Sequence, residues 1–321
     1  MGKKKVLITG ITGFTGSHLA EYLLKKGYVV DGTIRGRCRQ TEFIDNVKDK
    51  LNLLECDLTD INSVFTTLEE SQPDVIFHLA AQSFVPTSWR APQETFNTNA
   101  LGTLNLLEAV RKTSIDPVVQ IAGSSEESGM VYPDECPIEE TNPLRPLSPY
   151  AVSKVAQDLL GYQYFKSYGI KVIRTRCFNI IGPRSGRKIV SAKFARQVVD
   201  IENGRRKKLM VGNLEAVRDF VDVRDVVRAY EIATKECRYG DVYNISTGVG
   251  HSIKEILDIL RELSHKDIPI EVDKNMLRPS DVLLLVGNSN KFRNNTGWKP
   301  EYKFKQSMKS VLLYWREKNE T

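Results

Sequence analysis

Tyr150 and Lys154 stand four residues apart within "SPYAVSK". On a helix that spacing puts both side chains on one face, one turn apart. An ammonium held beside a phenol lowers the phenol pKa from its ordinary value near ~10, which makes Tyr150 a proton donor or acceptor usable near neutral pH. Ser124 ends the apolar run "PVVQIAGSS" and can hydrogen-bond the same substrate oxygen. Two residues on, Glu126 is either a second base or a carboxylate that merely ties a turn together. A lone Y-x-x-x-K arises often by chance. Joined to a serine at a strand's C-terminal end and to a glycine-rich loop, it points to proton transfer beside a bound dinucleotide.

The glycine-rich loop is "VLITGITGFTG", which places Gly10, Gly13 and Gly16 between a first strand and a first helix. Glycines there allow a tight turn and close approach of a pyrophosphate to the helix N-terminus, where unpaired N–H groups and the helix dipole favour negative charge. The spacing is G-x-x-G-x-x-G rather than G-x-G-x-x-G, so its position after the first strand carries the reading. The end of the second strand then selects the cofactor. Where an acid would bind the ribose 2′-hydroxyl of NAD(H), "VVDGTIRG" has Ile34 and Arg35. An arginine suits a 2′-phosphate, so NADP(H) is expected over NAD(H), with NAD(H) kept open. Taken alone, Arg35 would be a solvated loop residue.

These residues need a scaffold that delivers them to one place. Short apolar runs alternate with helical patterns through the first half: "KVLITG", "YVVDGTI", "LNLLECDL", "DVIFHLAA", "PVVQIAGSS" and "KVIRTRCFNI" as strands, "GSHLAEYLLKKG", "NTNALGTLNLLEAVRK" and "SPYAVSKVAQDLLGYQYFKSYG" as helices. That succession predicts an α/β fold, a Rossmann-like doubly wound parallel sheet. After "GPRSGR" the rhythm weakens, and the chain is expected to leave the sheet and return. A helix near 189–203, a strand at "LMVG", a helix at 252–264 and the tail "NNTGWKPEY" read as a smaller, discontinuous C-terminal lobe. The expected division is 1–181 with 215–250 for the nucleotide domain, and 182–214 with 251–321 for the substrate lobe.

Composition narrows the class. At 41% hydrophobic and 27% charged residues the chain is an ordinary globular protein, and no segment approaches the roughly 18 uninterrupted apolar residues of a membrane span. Basic residues run straight into a short strand at "MGKKKVLITG", which leaves no room for a signal peptide; a cytoplasmic protein without a membrane partner is expected. The five cysteines are scattered and the four histidines lack ligand spacing, so neither disulfide nor metal site is expected. The net charge of +6 gathers at Lys3–Lys5 and in "NGRRKK". It reads as a solvated basic face suited to phosphorylated small molecules, not as a nucleic-acid site.

With "TGITGFTG", "CDLTD", "FHLAAQS", "NTNALGT", "SSEE", "SPYAVSK", "FNIIGPR", "GNLEAVRDFVDVRDVV" and "LRPSDV" in place, the chain resembles the extended short-chain dehydrogenases/reductases over nearly its whole length. Within them it is most similar to the GDP-mannose 4,6-dehydratases and the GDP-4-dehydro-6-deoxy-D-mannose reductases. The resemblance implies that Gly10, Ile11, Thr12, Gly13, Phe14, Thr15 and Gly16 cradle the pyrophosphate and that Arg35 meets the 2′-phosphate. It implies that Asp57 and Leu58 hold the adenine, and that Leu79, Ala80, Ala81, Gln82, Ser83 and Thr98 line the cofactor path, with Tyr150 and Lys154 also touching the cofactor. Asn179, Val190, Lys193, Asn213, Arg218 and Arg278 match positions that bind the GDP-sugar, the two arginines facing its diphosphate, for which the planar guanidinium fork is suited. The family commonly forms homodimers through the helix carrying Y-x-x-x-K and the one near 95–111.

Reductase and dehydratase both move a hydride at sugar C4, so Tyr150 and Lys154 do not separate them. Glu126 occupies the place of the carboxylate that removes the C5 proton in the dehydratases. Ser124 in place of threonine, and Ile180 and Ile181 after Asn179, favour the reductase. The expected activity is reduction of the C4 ketone of GDP-4-dehydro-6-deoxy-D-mannose, with the 4,6-dehydratase as alternative, another nucleotide-sugar epimerase or dehydratase behind it, and a non-catalytic NADP(H)-binding regulator as the reading from a different class. Within "GSSEESG", Glu127 is expected to face solvent. Ser128 replaces an aromatic residue, so the pocket wall should be looser there unless Met130, Val131 or Tyr132 fills the space.

Overall fold

The computed structural model describes residues 3–36, 41–187, 189–273 and 283–320. A seven-stranded, wholly parallel sheet runs through its centre. In chain order its elements begin with β1 (Lys5–Thr9), α1 (Phe14–Lys25), β2 (Val29–Ile34), β3 (Asn52–Glu55), α2 (Ile61–Ser71) and β4 (Val75–His78). Two short helices, α3 (Val85–Arg90) and α4 (Pro92–Phe96), precede a wide helical turn over Asn97–Leu101. Then follow α5 (Gly102–Lys112), β5 (Val118–Ser124), α6 (Pro149–Tyr168) and β6 (Val172–Cys177). Strand order is 3-2-1-4-5-6, extended by a later strand beside β6. This is the doubly wound order, and ligands bind it at the C-terminal strand ends where the order reverses between β1 and β4.

Helix ends are set locally. Ser148 accepts a hydrogen bond from the Ala151 N–H at 3.1 Å, Pro149 takes the first turn of α6, and Gly169 ends it at φ +71°. One face of the sheet packs Leu106, Leu107 and Val110 of α5 and Tyr164 of α6 against Leu7, Ile76, Val119 and Ile121. The other face buries Leu19 and Leu23 of α1 against Val6, Ile8 and Phe77.

After β6 the chain changes sheet. "KVIRTRCFNI", expected as one strand, breaks at Phe178, whose N–H donates to the Ile245 carbonyl at 3.0 Å. Beyond the break, β7 (Asn179–Ile181) leads to α7 (Val190–Glu202), β8 (Leu209–Val211), β9 (Val217–Asp222) and α8 (Val223–Glu236). The chain rejoins the central sheet as β10 (Val242–Ile245), beside β6. It then forms β11 (Gly250–Ser252), α9 (Ile253–Leu263), β12 (Ile270–Val272), β13 (Leu284–Leu285), α10 (Asn290–Thr296) and α11 (Phe304–Glu320). β9 pairs with β7, β11 and β13, and β8 with β12. A second core gathers Phe194 and Val198 of α7, Phe220 of β9, Ile256 and Leu260 of α9 and Met308, Leu312 and Trp315 of α11.

The tail read with this lobe is divided. Phe292 and Trp298 pack instead into the core of the central sheet beside Val226 and Tyr230 of α8. α10 and α11 were not among the sequence expectations. No helix among the described residues is long and apolar enough to cross a membrane. The described cysteines, Cys56, Cys136, Cys177 and Cys237, are free thiols. Among the described residues no group of three or more His, Cys, Asp or Glu is arranged to hold a metal ion.

Candidate active site and cofactor cleft

The loop after β1 is shaped by glycines that admit no substitute. Gly10 takes φ +72°, and a Cβ there would lie 2.9 Å from the Ala80 Cα; at Gly16 a Cβ would lie 2.3 Å from the Gly10 carbonyl oxygen. The Gly13 N–H donates to that carbonyl at 3.0 Å. α1 starts at Phe14 with no side chain capping it. The N–H groups of its first turn, at Phe14, Thr15 and Gly16, are therefore left without a side-chain cap, the arrangement that suits an anion. Thr12 and Thr15 are half-buried. Ile11 is fully buried, and a Cβ on Gly32 of β2 would strike its Cδ1 at 2.3 Å. It contributes main chain only.

At the C-terminal ends of β2 and β3, Arg35, Asp57 and Thr98 line one cleft of about 540 Å³ with Thr59, Gln93, Glu94, Asn97 and Leu101. The Asp57 carboxylate accepts hydrogen bonds from the Thr59 N–H (2.9 Å) and hydroxyl (2.8 Å). These bonds, with a smaller pull from Arg35, hold its pKa below the usual carboxylate range. Leu58 is buried, and its carbonyl accepts from Asn105 Nδ2 at 2.8 Å. Thr59, Gln93, Glu94 and Asn97 were not picked out from the sequence. The feature that marks them is the wide turn at Asn97–Leu101, a geometry often found at functional sites that the backbone shows and the sequence does not.

A buried chain of hydrogen bonds holds the loop after β4. The Thr9 hydroxyl accepts from the N–H groups of Leu79 and Ala80, each at 3.1 Å, and donates to His78 Nδ1 at 2.9 Å. His78 Nε2 donates to Thr103 Oγ1 at 3.0 Å, and that hydroxyl donates to the Asn99 carbonyl. Complete burial pulls His78 down to about 3, so the ring stays neutral. Asn99 then crosses to α6. Its Oδ1 accepts from the Gln82 N–H at 2.8 Å, and its Nδ2 donates to the Gln82 carbonyl and to Ser153 Oγ. Ala81 is half-buried beside this bridge and Ser83 is exposed. The loop after β4 and helix α6 are thus one connected unit.

Ser124 lies at the C-terminal tip of β5, and the Tyr150 phenol hydrogen-bonds its side chain. Tyr150 is 9% exposed and Lys154 3%. The expected lowering of the Tyr150 pKa is overturned: burial raises it, the charges of Glu126 and Glu127 add to the rise, and the Ser124 bond only partly opposes them. The reason is geometric. Lys154 Nζ donates to the Ala122 carbonyl and to Gln157 Oε1 rather than to the phenol. Burial likewise lowers the Lys154 pKa, against the opposing pull of Glu127 and Asp158.

The stretch "GSSEESG" also departs from expectation. Glu127 is fully buried, not solvent-facing. Its Oε1 accepts the Ser124 N–H at 2.7 Å and its Oε2 accepts Arg176 Nε at 2.9 Å. Glu126 is half-buried, and its carboxylate has no hydrogen-bond or ion-pair partner among the described residues. Ser128 is 3% exposed. The backbone from Ser128 to Met130 is paired with the Arg145 main chain: the Arg145 N–H donates to the Ser128 carbonyl, and the Met130 N–H to the Arg145 carbonyl. Met130 and Tyr132 are exposed, and only Val131 packs on the core.

Of the expected substrate residues, Asn179 and Arg218 stand on the paired strands β7 and β9, where Asn179 is opposite Phe220. Asn179 Oδ1 is buried and unpartnered among the described residues. Val190 opens α7, with Lys193 one turn on. Burial lowers the Lys193 pKa, with Asp273 and Arg206 nearby. Asn213 Oδ1 accepts the Glu215 N–H at 2.9 Å, and Arg218 Nη1 donates to the Val217 carbonyl. Arg278 lies outside the described residues.

The family profile described as GDP-mannose 4,6 dehydratase matches residues 7–311. GDP-mannose 4,6 dehydratase 2 of Arabidopsis thaliana is 37% identical over 97% of this chain and 86% of its own length. The chain belongs to the GDP-mannose 4,6-dehydratase family. GDP-6-deoxy-D-mannose reductase of Pseudomonas aeruginosa is 32% identical over 98% of both chains. The solved structure of RMD from Pseudomonas aeruginosa, complexed with NADPH, superposes with a TM-score of 0.85 at 31% identity, covering 98% of this chain and 100% of that one. Relatives named dehydratase and relatives named reductase therefore share this family, within the extended short-chain dehydrogenases/reductases, and the reaction has to be read from the site.

Proposed function

We propose that this enzyme reduces the C4 ketone of GDP-4-dehydro-6-deoxy-D-mannose to the alcohol of a GDP-6-deoxyhexose of the GDP-D-rhamnose type. The observation that carries the reading is the end-to-end likeness to the Pseudomonas aeruginosa reductase, 32% identical over 98% of both chains, together with Ser124, Ile180 and Ile181 at the positions that distinguish the two enzyme types. In either reaction the buried Tyr150 phenol exchanges the proton of the C4 oxygen, as donor in reduction and as acceptor in oxidation. When bound, NADPH supplies the hydride to C4. The glycine loop at Gly10–Gly16 and the cleft lined by Arg35, Asp57 and Thr98 fit that dinucleotide, the Arg35 guanidinium suiting its 2′-phosphate, with NAD(H) the weaker candidate. Ser124 orients the ketone oxygen, Tyr150 gives it a proton as hydride arrives, and Lys154 offsets the phenolate left behind. The GDP-sugar is held by Asn179, Val190, Lys193, Asn213 and Arg218, with Arg278 completing the diphosphate contacts. The end-to-end match with the Pseudomonas aeruginosa reductase supports this assignment.

A second reading, GDP-mannose 4,6-dehydratase, is favoured by Glu126, whose carboxylate has no partner among the described residues and acts on Tyr150 by its charge. Consumption of NADPH with the 4-dehydro substrate distinguishes the two. A 4-keto product from GDP-mannose with catalytic cofactor would instead establish the dehydratase.

We also infer a homodimer. Trp89 of α3, Phe96 of α4, Leu101 of the wide turn, and Val152, Leu159, Tyr162 and Tyr168 of α6 are exposed large apolar side chains on neighbouring elements, the kind of patch that marks an interface. Sedimentation velocity is expected to give a dimer that Leu159→Glu dissociates. A monomeric wild-type chain at micromolar concentration would rule this out.

A further inference from the structure

The carboxylate that organises this active site is Glu127, one residue beyond the one sequence reasoning selects. We propose that Glu127 is a positioning residue: one of its oxygens fixes the backbone of Ser124, the other anchors Arg176, and its charge sustains the ammonium of Lys154. The inference rests on the reading that Ser124, Tyr150 and Lys154 carry proton transfer at the sugar oxygen, which reductase and dehydratase share.

The geometry leaves Glu127 no other employment. It is fully buried, and its Oε1 receives the Ser124 N–H at 2.7 Å and its Oε2 the Arg176 Nε–H at 2.9 Å. Both oxygens accept, so these donors favour the anion, against burial and the charge of Asp158, which push the Glu127 pKa up. The contact is close enough to dictate a neighbour, since a Cβ on Gly123 would lie 2.6 Å from Oε1. Ser124, so held, presents its hydroxyl to the Glu126 N–H at 3.2 Å and to Tyr150. Arg176 extends the lattice: Nη2 donates to Asp158 at 2.8 Å and Nη1 to the Glu140 carbonyl, while Arg174 donates to the same Asp158 oxygen at 3.0 Å. The network joins the tip of β5, β6 and the catalytic helix α6.

Glu127 in the turn after β5, Asp158 on α6 and His78 on β4 interact with Lys154 directly. Arg174 and Arg176 of β6 pair with Asp158, and Arg176 also with Glu127, while Glu126 and Cys177 stand about Tyr150. Glu140 lies behind Arg176. Of these, Glu127 and Asp158 favour the ammonium, and Asp158 already serves two arginines. When Tyr150 gives up its proton, the phenolate is left in a buried site, with Lys154 one turn along the same helix. Loss of the Glu127 charge makes that cation easier to deprotonate.

Three variants test this. Glu127→Leu is expected to lower kcat by about 10- to 100-fold with KM little changed, through a displaced Ser124. Glu127→Gln keeps an oxygen for the Ser124 N–H and is expected to recover part of kcat, with the alkaline limb of the pH–rate profile moved down by about one unit or more. Glu127→Leu combined with Arg176→Leu removes both charges of the buried pair, so Tm is expected near wild type while kcat stays low. A kcat that returns along with Tm in the double variant would overturn the proposal. A readout free of substrate stands beside these: the Lys154 side-chain Nζ resonance in 15N-lysine-labelled protein, titrated in wild type and Glu127→Gln. A lower Lys154 pKa in the variant is expected whichever sugar reaction the enzyme performs, and an unchanged value would refute the electrostatic role.

Discussion

Tyr150→Phe leaves the affinity for NADPH nearly unchanged and lowers kcat/KM by about 10²- to 10⁴-fold, the usual contribution of a positioned proton donor. The substitution removes one oxygen and little else. The ring is 9% exposed and keeps its packing, and Ser124 Oγ still accepts the Glu126 N–H, so the fold has no reason to change. The cofactor loop stands on separate supports, the Gly10–Ala80 contact and the Thr9–His78 chain. Steady-state rates together with the fluorescence of bound NADPH separate the two effects. Equal rates for wild type and variant would remove Tyr150 from its assigned role, and a parallel loss of NADPH binding would make it structural.

Trp298→Ala destabilises the protein by about 3–5 kcal/mol, the range for deleting a large buried aromatic. The side chain is 1% exposed, its ring sits 5.6 Å from that of Phe292, and its indole N–H donates to the Asp225 carbonyl at 3.2 Å. Asp225 belongs to α8, which covers the central sheet next to α1. The loss therefore falls on the nucleotide-binding half, where a cavity and an unpaired carbonyl add to lost burial. Urea unfolding measures it. A cost below about 1 kcal/mol, the size expected for a surface tail, would contradict the packing described.

These two residues mark how far local sequence carries. The strands of the central sheet were legible because strands buried on both faces read as apolar runs, and the helix of Tyr150 because Ser148, Pro149 and Gly169 announce its ends. The glycine loop was legible as well: Gly10 and Gly16 stand where no side chain fits. What escaped depends on partners distant in sequence. Glu127 looked like a solvated charge because the residue that makes its burial tolerable, Arg176, lies on β6, 49 positions away. The Tyr150 pKa was read from its neighbour four residues on, but burial by the whole fold outweighs that neighbour. Phe178 divides one apolar run between two sheets, and no local period records such a change. α11 is a different case. Phe304, Met308, Val311, Leu312 and Trp315 recur at helical spacing, but they follow a stretch punctuated by Pro, Gly and Trp that reads as an irregular tail. The Ser128 site was half legible: the missing aromatic was evident, but the burial of the serine and the pairing of its backbone with Arg145 were not.

The central claim is that the enzyme reduces a sugar ketone with hydride from NADPH while Tyr150 gives the ketone oxygen its proton. It is tested most directly by mixing the protein with NADPH and GDP-4-dehydro-6-deoxy-D-mannose and following absorbance at the nicotinamide band. The account predicts stoichiometric loss of the reduced cofactor and formation of a GDP-6-deoxyhexose carrying a C4 hydroxyl. Unchanged absorbance, with GDP-mannose converted to a 4-keto sugar under the same conditions, would contradict it.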